Sequence, residues 1–158
     1  FMFQEATLMP HLTVKENMLL AARSAKNAQQ MDSKRLEWIF KLFPAVEKFW
    51  NHPAGKLSGG QKQMLAVARA IVEPRKLLIV DEPSKGLAPA IINNMIDAFA
   101  ELKQTGTTIL LVEQNISFAK RLGDHVAVMD NGEVVHAGSM QELADNEDLQ
   151  HALLGLAI

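Results

Sequence analysis

The sequence has 158 residues, of which 48% are apolar and 22% are charged, and its formal net charge is −2. This length suits one globular domain, and the small negative charge offers no basic field for nucleic acid. Because the chain contains no cysteine, a disulfide framework and a thiolate metal site are both excluded. No apolar run approaches the roughly 20 residues that a membrane-spanning helix needs.

The amino-terminal segment is predicted to contain a strand end, a loop and a capped helix. Residues 1–3 are apolar and read as the end of a strand, which Gln4 follows. A loop containing a proline is predicted over 5–12. Thr13 and Glu16 have the spacing of a capping box, so a helix is predicted to begin at that point.

Two further helical segments are predicted before the first polar motif. Apolar residues at helical spacing indicate a helix over 34–43, which Pro44 is expected to end, and a shorter segment over 46–50. We expect the aromatic residues of these segments to lie in a core and not on a docking surface: Phe40, Phe43, Phe49 and Trp50.

The segment 57–89 joins two polar motifs through a helix and a strand. Its first motif is the tetrapeptide Ser58-Gly59-Gly60-Gln61, in which adjacent glycines let backbone N–H groups approach a ligand closely. Apolar residues at helical spacing predict a helix over 61–72. A helix N-terminus with free N–H groups and a serine hydroxyl is a natural phosphate site.

The second motif follows the apolar run 77–80, which is predicted to be a strand buried on both faces of a parallel sheet. Asp81 and Glu82 stand at its carboxyl end, where ligands bind in open α/β folds. Either motif alone would be an ordinary helix cap or a solvated turn. Their occurrence together, in this order and spacing, favours a phosphate site.

The next elements continue the α/β pattern. A helix is predicted over 90–103, with Gly106 ending it, and a second buried strand is predicted over 108–112. A right-handed crossover would place this strand parallel to the first. Glu113, Gln114 and Asn115 follow the strand, so their side chains are expected at the same edge of the sheet.

The last elements are shorter. A short helix is predicted over 117–122, and the tripeptide Asp130-Asn131-Gly132 between two apolar runs indicates a β-hairpin. A second capping-box pattern, Ser139 with Glu142, predicts the start of a terminal helical region that ends near Leu156.

LSGGQ before a helix, and an apolar strand that ends in DEPS, are similar to the signature and Walker B motifs of ATP-binding cassette (ABC) ATPases. The resemblance covers nearly the whole chain. DEPSKGLAP and LLVEQN resemble, more narrowly, the ATPase subunits of importers for branched-chain amino acids and of related urea and amide importers. The resemblance implies an α/β fold: part of a P-loop NTPase (RecA-like) core with a parallel sheet, plus a helical subdomain.

Within that fold, the resemblance divides the chain into two parts of one ABC ATPase domain. Residues 5–65 are expected to hold the Q-loop, helical subdomain and signature, and residues 66–158 the Walker B half and the carboxyl-terminal helices. A P-loop is missing, because Gln61 stands where the motif beginning at Gly55 requires lysine. We expect a carboxyl-terminal fragment, inactive by itself; a protein that naturally lacks its P-loop is the alternative.

The resemblance also implies a role for each candidate site residue. Glu82 is expected to be the general base, and Gln114 to replace the histidine with which most ABC ATPases contact the γ-phosphate. Asp81 and Gln4 are expected to contact Mg²⁺. The signature is expected to bind the γ-phosphate of ATP that a second subunit holds, through Ser58, Gly59, Gly60 and Gln61.

The interface loop 84–89 departs from the family's pattern at two positions. Ala88 stands where an aspartate is usual, and Lys85 is unusual beside a phosphate and is expected to face solvent.

The function implied is an ATP-hydrolysing motor subunit of an importer, bound peripherally at the cytoplasmic face of the cell membrane. The expected partners are a second ABC ATPase subunit, transmembrane permease subunits and, indirectly, a solute-binding protein outside the membrane. Nucleic acid is not expected as a partner. Two alternatives stay open: an ABC ATPase that works outside transport, and a catalytically inactive cassette with a binding or regulatory role.

Overall fold

The computed structural model describes residues 8–22, 25, 27 and 30–155. The chain divides into two compact units, Phe1–Asn115 and Ile116–Ile158. The strand end predicted at residues 1–3 and the position of Gln4 lie outside the described residues. In the part of the chain that the structure describes, no helix has the length and apolar character needed to cross a bilayer.

The first unit combines helices with a two-stranded parallel sheet. In chain order its elements are α1 (Val14–Ala21), α2 (Ser33–Leu42), α3 (Pro44–Lys48), a 3-10 turn (Ala54–Lys56), α4 (Gly59–Ile71), β1 (Leu77–Asp81), α5 (Pro89–Gln104) and β2 (Thr108–Val112). Helix α4 packs against α1 and α3, and α2 packs against α5. The α/β fold predicted from the sequence is confirmed.

Local capping determines where these helices begin. The capping box predicted at the start of α1 is present, with the Thr13 side chain accepting from the Glu16 N–H and the Glu16 carboxylate accepting in return. The backbone N–H and the hydroxyl of Thr13 hold the pKa of Glu16 below its usual range. Asp32 caps α2 in a similar way, and Pro44 is the first residue of α3 as well as the stop for α2.

The two strands pair in parallel, as the crossover rule predicts. Leu77 lies opposite Thr108 and Asp81 lies opposite Val112, so both strands end at the same edge of the sheet. Helix α5 forms the crossover between them. The side chains that follow Asp81 and Val112 are therefore neighbours in space.

The prediction that both strands are buried on both faces is wrong. Leu78 and Val80 are buried, but Leu77 is 54% exposed on the other face of β1. In β2, Leu110 and Val112 are 54% and 50% exposed on that same face. An apolar run marks a strand but does not fix its burial, because burial depends on what packs on each face.

The core of the first unit lies between the buried face of the sheet and the helices. Large, fully buried side chains of this core come from the helices, from β1 and from the junction of α2 and α3: Met18, Ile39, Phe43, Leu65, Val80, Met95, Phe99 and Leu102. Of the four aromatic residues predicted to be core, Phe43 is fully buried, and the other three are half-buried. Phe40 and Trp50 pack edge to face, with ring centroids 5.1 Å apart.

The second unit is built around a hairpin. Its elements are α6 (Ile116–Leu122), β3 (His125–Asp130), β4 (Glu133–Ser139), α7 (Met140–Asp145) and α8 (Glu147–Leu154). The predicted hairpin is confirmed, and its turn places Asn131 and Gly132 at φ +47° and +86°, which asparagine and glycine adopt readily. Val128, Met140 and Leu143 form its small buried core.

Candidate active site

The Ser-Gly-Gly-Gln motif forms the first turn of α4. The Ser58 hydroxyl oxygen accepts from the Gln61 N–H at 3.3 Å, and the Gln61 carbonyl oxygen Oε1 accepts from the Ser58 N–H at 2.9 Å. This reciprocal cap begins the helix at Gly59, two residues before the position predicted. The two glycines are therefore the first helical residues, whose N–H groups have no partner within the helix.

The two glycines of this turn have different surroundings. A Cβ atom at Gly59 would have no atom within 4 Å, so the surface beside it is open. A Cβ atom at Gly60 would lie 3.3 Å from Cγ1 of Ile91 and 3.8 Å from Cδ2 of Leu87. Gly60 therefore lets α4 pack closely on the segment that follows the second motif, whereas Gly59 leaves room for a ligand.

The second motif turns sharply where β1 ends. Asp81 is the last residue of the strand, and the Glu82 N–H still bonds the carbonyl oxygen of Val112 at 2.9 Å. The backbone of Glu82 has φ +42°, a left-handed conformation that is uncommon for any residue other than glycine. Such strain persists only where surrounding contacts fix it, and it is often found at functional sites.

Two side chains contact the Glu82 carboxylate, one at each of its oxygen atoms. The Lys85 ammonium lies 2.8 Å from Oε2, and the Gln114 amide nitrogen donates to Oε1. The Lys85 side chain is 62% exposed, as predicted, yet its ammonium group still reaches Glu82. An ion pair this exposed contributes only about 0–1 kcal/mol to stability. Its main effect is to orient the Glu82 carboxylate.

Gln114 comes from the second strand, and its side chain points back toward the first. The sequence left open whether this residue faces a ligand or merely ends the strand and points away. Its bond to Glu82 brings the two candidate catalytic side chains together at one edge of the sheet. Asp81 lies beside them and is partly buried.

The predicted metal contacts are Asp81 and Gln4. Gln4 lies outside the described residues. Within the described ranges, no group of three or more histidine, cysteine, aspartate or glutamate side chains could hold a metal ion.

Asn17 has a structural role that was not predicted from the sequence. It is fully buried in α1, where its amide oxygen accepts from the Met9 N–H at 2.9 Å. Its amide nitrogen lies within 3.3 Å of the carbonyl oxygens of Met9, Leu12 and Thr13. The helical spacing from Val14 to Met18 places position 17 on the buried face, so a buried amide was detectable in principle.

We expect Asn17→Ala to lower the free energy of unfolding by about 2 kcal/mol, because it leaves buried backbone groups without partners. Asn17→Asp should cost at least as much, since a carboxylate would face three carbonyl oxygens. Urea unfolding of the full-length protein measures both. Asn94→Ala, on the exposed surface of α5, is the matched control. Equal stability of the Asn17→Ala and Asn94→Ala variants would contradict this role.

Glu113 was expected at this edge of the sheet, but no role was predicted for it. One of its carboxylate oxygens accepts from the Ser84 N–H at 2.9 Å, and the other accepts from the Asn115 N–H at 3.3 Å. Its position next to Gln114 was visible in the sequence. Its partner across the sheet was not, because Ser84 is 29 residues away.

Known transport proteins are similar to this chain in sequence. The chain is 37% identical over 145 residues to the high-affinity branched-chain amino acid transport ATP-binding protein BraG of Pseudomonas aeruginosa, covering 91% of this chain and 61% of BraG. It is 32% identical to the probable branched-chain amino acid transport ATP-binding protein LivG of Archaeoglobus fulgidus, covering 97% of this chain and 64% of LivG. The chain thus spans less than two thirds of either relative.

Solved structures have the same fold. An ATP-binding subunit of an ABC transporter superposes with a TM-score of 0.76 at 26% identity, covering 98% of this chain and 64% of that one. The ATP-binding cassette MJ0796, a dimer in a post-hydrolysis state bound to ADP and Pi, superposes with a TM-score of 0.74 at 27% identity, covering 89% and 62%. The family profile for ABC transporters matches residues 1–85, more than half of the sequence. The chain belongs to the ABC transporter family, as an ATP-binding cassette sequence.

Proposed function

We propose that this chain is part of the ATP-hydrolysing motor subunit of an ABC importer for branched-chain amino acids or a related small solute. The observation that carries the proposal is the Glu82 carboxylate, fixed between Lys85 and Gln114 at the carboxyl edge of two parallel strands. A carboxylate held there can accept a proton from an attacking water. The substrate class rests on the branched-chain amino acid transport named for two relatives.

ATP is the proposed substrate, and the signature turn is its proposed phosphate contact. The first-turn N–H groups of Gly59 and Gly60 and the Ser58 hydroxyl lie at the N-terminus of a helix of 13 residues. Helix N-termini favour anions through their free N–H groups and the helix dipole. We propose that this turn binds the γ-phosphate of ATP held by a second ATPase subunit. The dimeric form of MJ0796 supports an arrangement in pairs.

The open surface at Gly59 leads to a specific expectation. Gly59→Ala should leave stability unchanged or slightly raised, because alanine is the better helix former. ATP turnover should nevertheless fall on the order of tenfold, since the added methyl group displaces a charge-assisted bond to phosphate. At Gly60 the same gain is opposed by a contact of 3.3 Å between the new methyl group and Cγ1 of Ile91, so Gly60→Ala should be less stable than Gly59→Ala. Thermal unfolding and steady-state turnover of both variants distinguish the two effects, and unchanged turnover in Gly59→Ala would remove it from the site.

Mg²⁺ is the proposed metal, and Asp81 fits it as a donor. Magnesium prefers oxygen ligands and in nucleotide sites takes one or two carboxylates together with phosphate oxygens and water. Asp81 supplies one such carboxylate, at the end of β1. When bound, the ion would neutralise charge on the β- and γ-phosphates.

The remaining chemistry falls to Glu82 and Gln114. Glu82 orients a water molecule for in-line attack on the γ-phosphorus and takes up its proton. Gln114 donates through its amide nitrogen, which cannot carry a proton as an imidazolium does. It can therefore hold the carboxylate in place or donate to a phosphate oxygen, but it cannot act as an acid. Transmembrane permease subunits are the proposed membrane partners, and the cytoplasmic membrane face is the proposed location.

Uptake into proteoliposomes tests the proposed function. The full-length protein, assembled with its permease subunits and solute-binding protein, should drive uptake of radiolabelled leucine only when ATP and Mg²⁺ are supplied on the side of the ATPase subunits. Parallel assays with arginine and urea test the other solute classes. Uptake of one of these in place of leucine would correct the substrate. ATP hydrolysis without uptake of any solute would favour an ABC ATPase outside transport.

A further inference from the structure

We propose that Glu113 is a positioning residue of the hydrolytic site, holding the turn that carries Glu82 and the loop that carries Gln114 in one fixed geometry. The inference rests on the proposed ATPase function. It adds a residue to which neither the sequence motifs nor the comparisons assign a role. The hydrogen bonds of the Glu113 carboxylate support this role.

The Glu113 carboxylate bridges two chain segments. Oε1 accepts from the Ser84 N–H at 2.9 Å, and Oε2 accepts from the Asn115 N–H at 3.3 Å. Ser84 is only 6% exposed, so its N–H group has little access to water. A buried N–H group needs a partner, and here a charged side chain from the neighbouring strand supplies it.

The bond between Ser84 and Glu113 follows closely after Glu82, the residue with the left-handed backbone. Glu82 is tied to β2 by its own N–H, which bonds the Val112 carbonyl oxygen at 2.9 Å. Two residues later, the Ser84 N–H is tied to the residue that follows Val112. The left-handed backbone of Glu82, at φ +42°, therefore lies between two bonds to the same neighbouring strand. Loss of the second bond would let the turn relax and move the carboxylate.

The same side chain also fixes the other half of the pair. Its bond to the Asn115 N–H braces the backbone on the far side of Gln114. Gln114 in turn donates to Glu82, which closes a loop of contacts between the two strand ends. Glu113 thereby sets the distance between the base and the amide without touching a reacting atom.

Steady-state kinetics of full-length variants test the proposal. Glu113→Ala removes both bonds, so kcat should fall about tenfold while KM for ATP changes little, because displacement of a catalytic group affects the transition state selectively. Glu113→Gln keeps an amide oxygen for the Ser84 N–H and loses the acceptor for Asn115. It should therefore recover part of the rate, leaving kcat about threefold below that of wild type. Glu37→Ala, on the exposed surface of α2, is the control and should match wild type.

The outcomes separate this inference from the function on which it rests. If Glu82→Gln abolishes turnover but both Glu113 variants keep the wild-type kcat, the positioning role is wrong and the ATPase assignment stands. If Glu82→Gln turns over at the wild-type rate, the proposed base itself is wrong. A rise in KM with unchanged kcat in Glu113→Ala would also overturn the inference. Should Glu113→Ala fail to fold, the kcat of Glu113→Gln decides alone.

Discussion

Glu82→Gln in the full-length protein should bind ATP normally and hydrolyse it about 10²–10⁴-fold more slowly than wild type. The amide preserves the shape of the side chain, but it cannot accept a proton from water. It can still bond Gln114 through its carbonyl oxygen, so the geometry of the strand ends should survive. The loss of the Lys85 ion pair should cost at most about 1 kcal/mol of stability, since that lysine is largely exposed.

Nucleotide affinity and turnover must be measured on the same preparation of Glu82→Gln. A fluorescent ATP analogue gives the affinity, and phosphate release gives the rate. Glu37→Gln, at an exposed position of α2, controls for removal of a negative charge. A rate for Glu82→Gln within a few-fold of the control would show that another group activates the water.

Gln114→Ala should slow turnover by about 10- to 150-fold, whereas Gln114→His should stay within about fivefold of wild type. Alanine removes the proposed donor to the γ-phosphate, and a charge-assisted bond of that kind is worth about 1.5–3 kcal/mol. In the structure it also releases Oε1 of Glu82, to which the amide donates. Histidine has a donor N–H group within similar reach, so the proposed contact to the γ-phosphate can be kept.

Turnover of the two Gln114 variants, assembled with the permease subunits, separates this role from a structural one. Gln141→Ala on α7, where the glutamine side chain bonds Asp145, is the matched control. If Gln114→Ala hydrolyses ATP as fast as this control, the amide makes no contact that matters to the reaction. A slow Gln114→His variant would show that the amide's size or neutrality, and not its donor, is required.

Features of the fold that depend on local sequence were predictable. The capping box at Thr13 fixes a helix start through residues three apart, so the sequence displays it directly. The Asp130-Asn131-Gly132 turn selects its own hairpin by backbone conformation. The parallel pairing of β1 with β2 follows from a strand–helix–strand order and the handedness rule.

Features that depend on distant neighbours were not predictable. The exposure of Leu110 and Val112 depends on which elements cover that face of the sheet, which an apolar run does not state. The left-handed backbone of Glu82 is imposed by hydrogen bonds from β2, about 30 residues further along the chain. For the same reason Glu113 looked like an ordinary residue at a strand end. The sequence therefore predicted that Glu82 and Gln114 follow strands that end at the same edge of the sheet, but not the hydrogen bonds that hold them there.

The Mg²⁺ requirement of phosphate release from ATP by the full-length protein, assembled with its permease subunits, tests the central claim most directly. If Asp81 and Glu82 form a hydrolytic site for ATP at the edge of this sheet, release should be steady, should stop when the metal is chelated and should resume when Mg²⁺ is restored. No release from the wild-type assembly, or release that continues in excess chelator, would contradict the account.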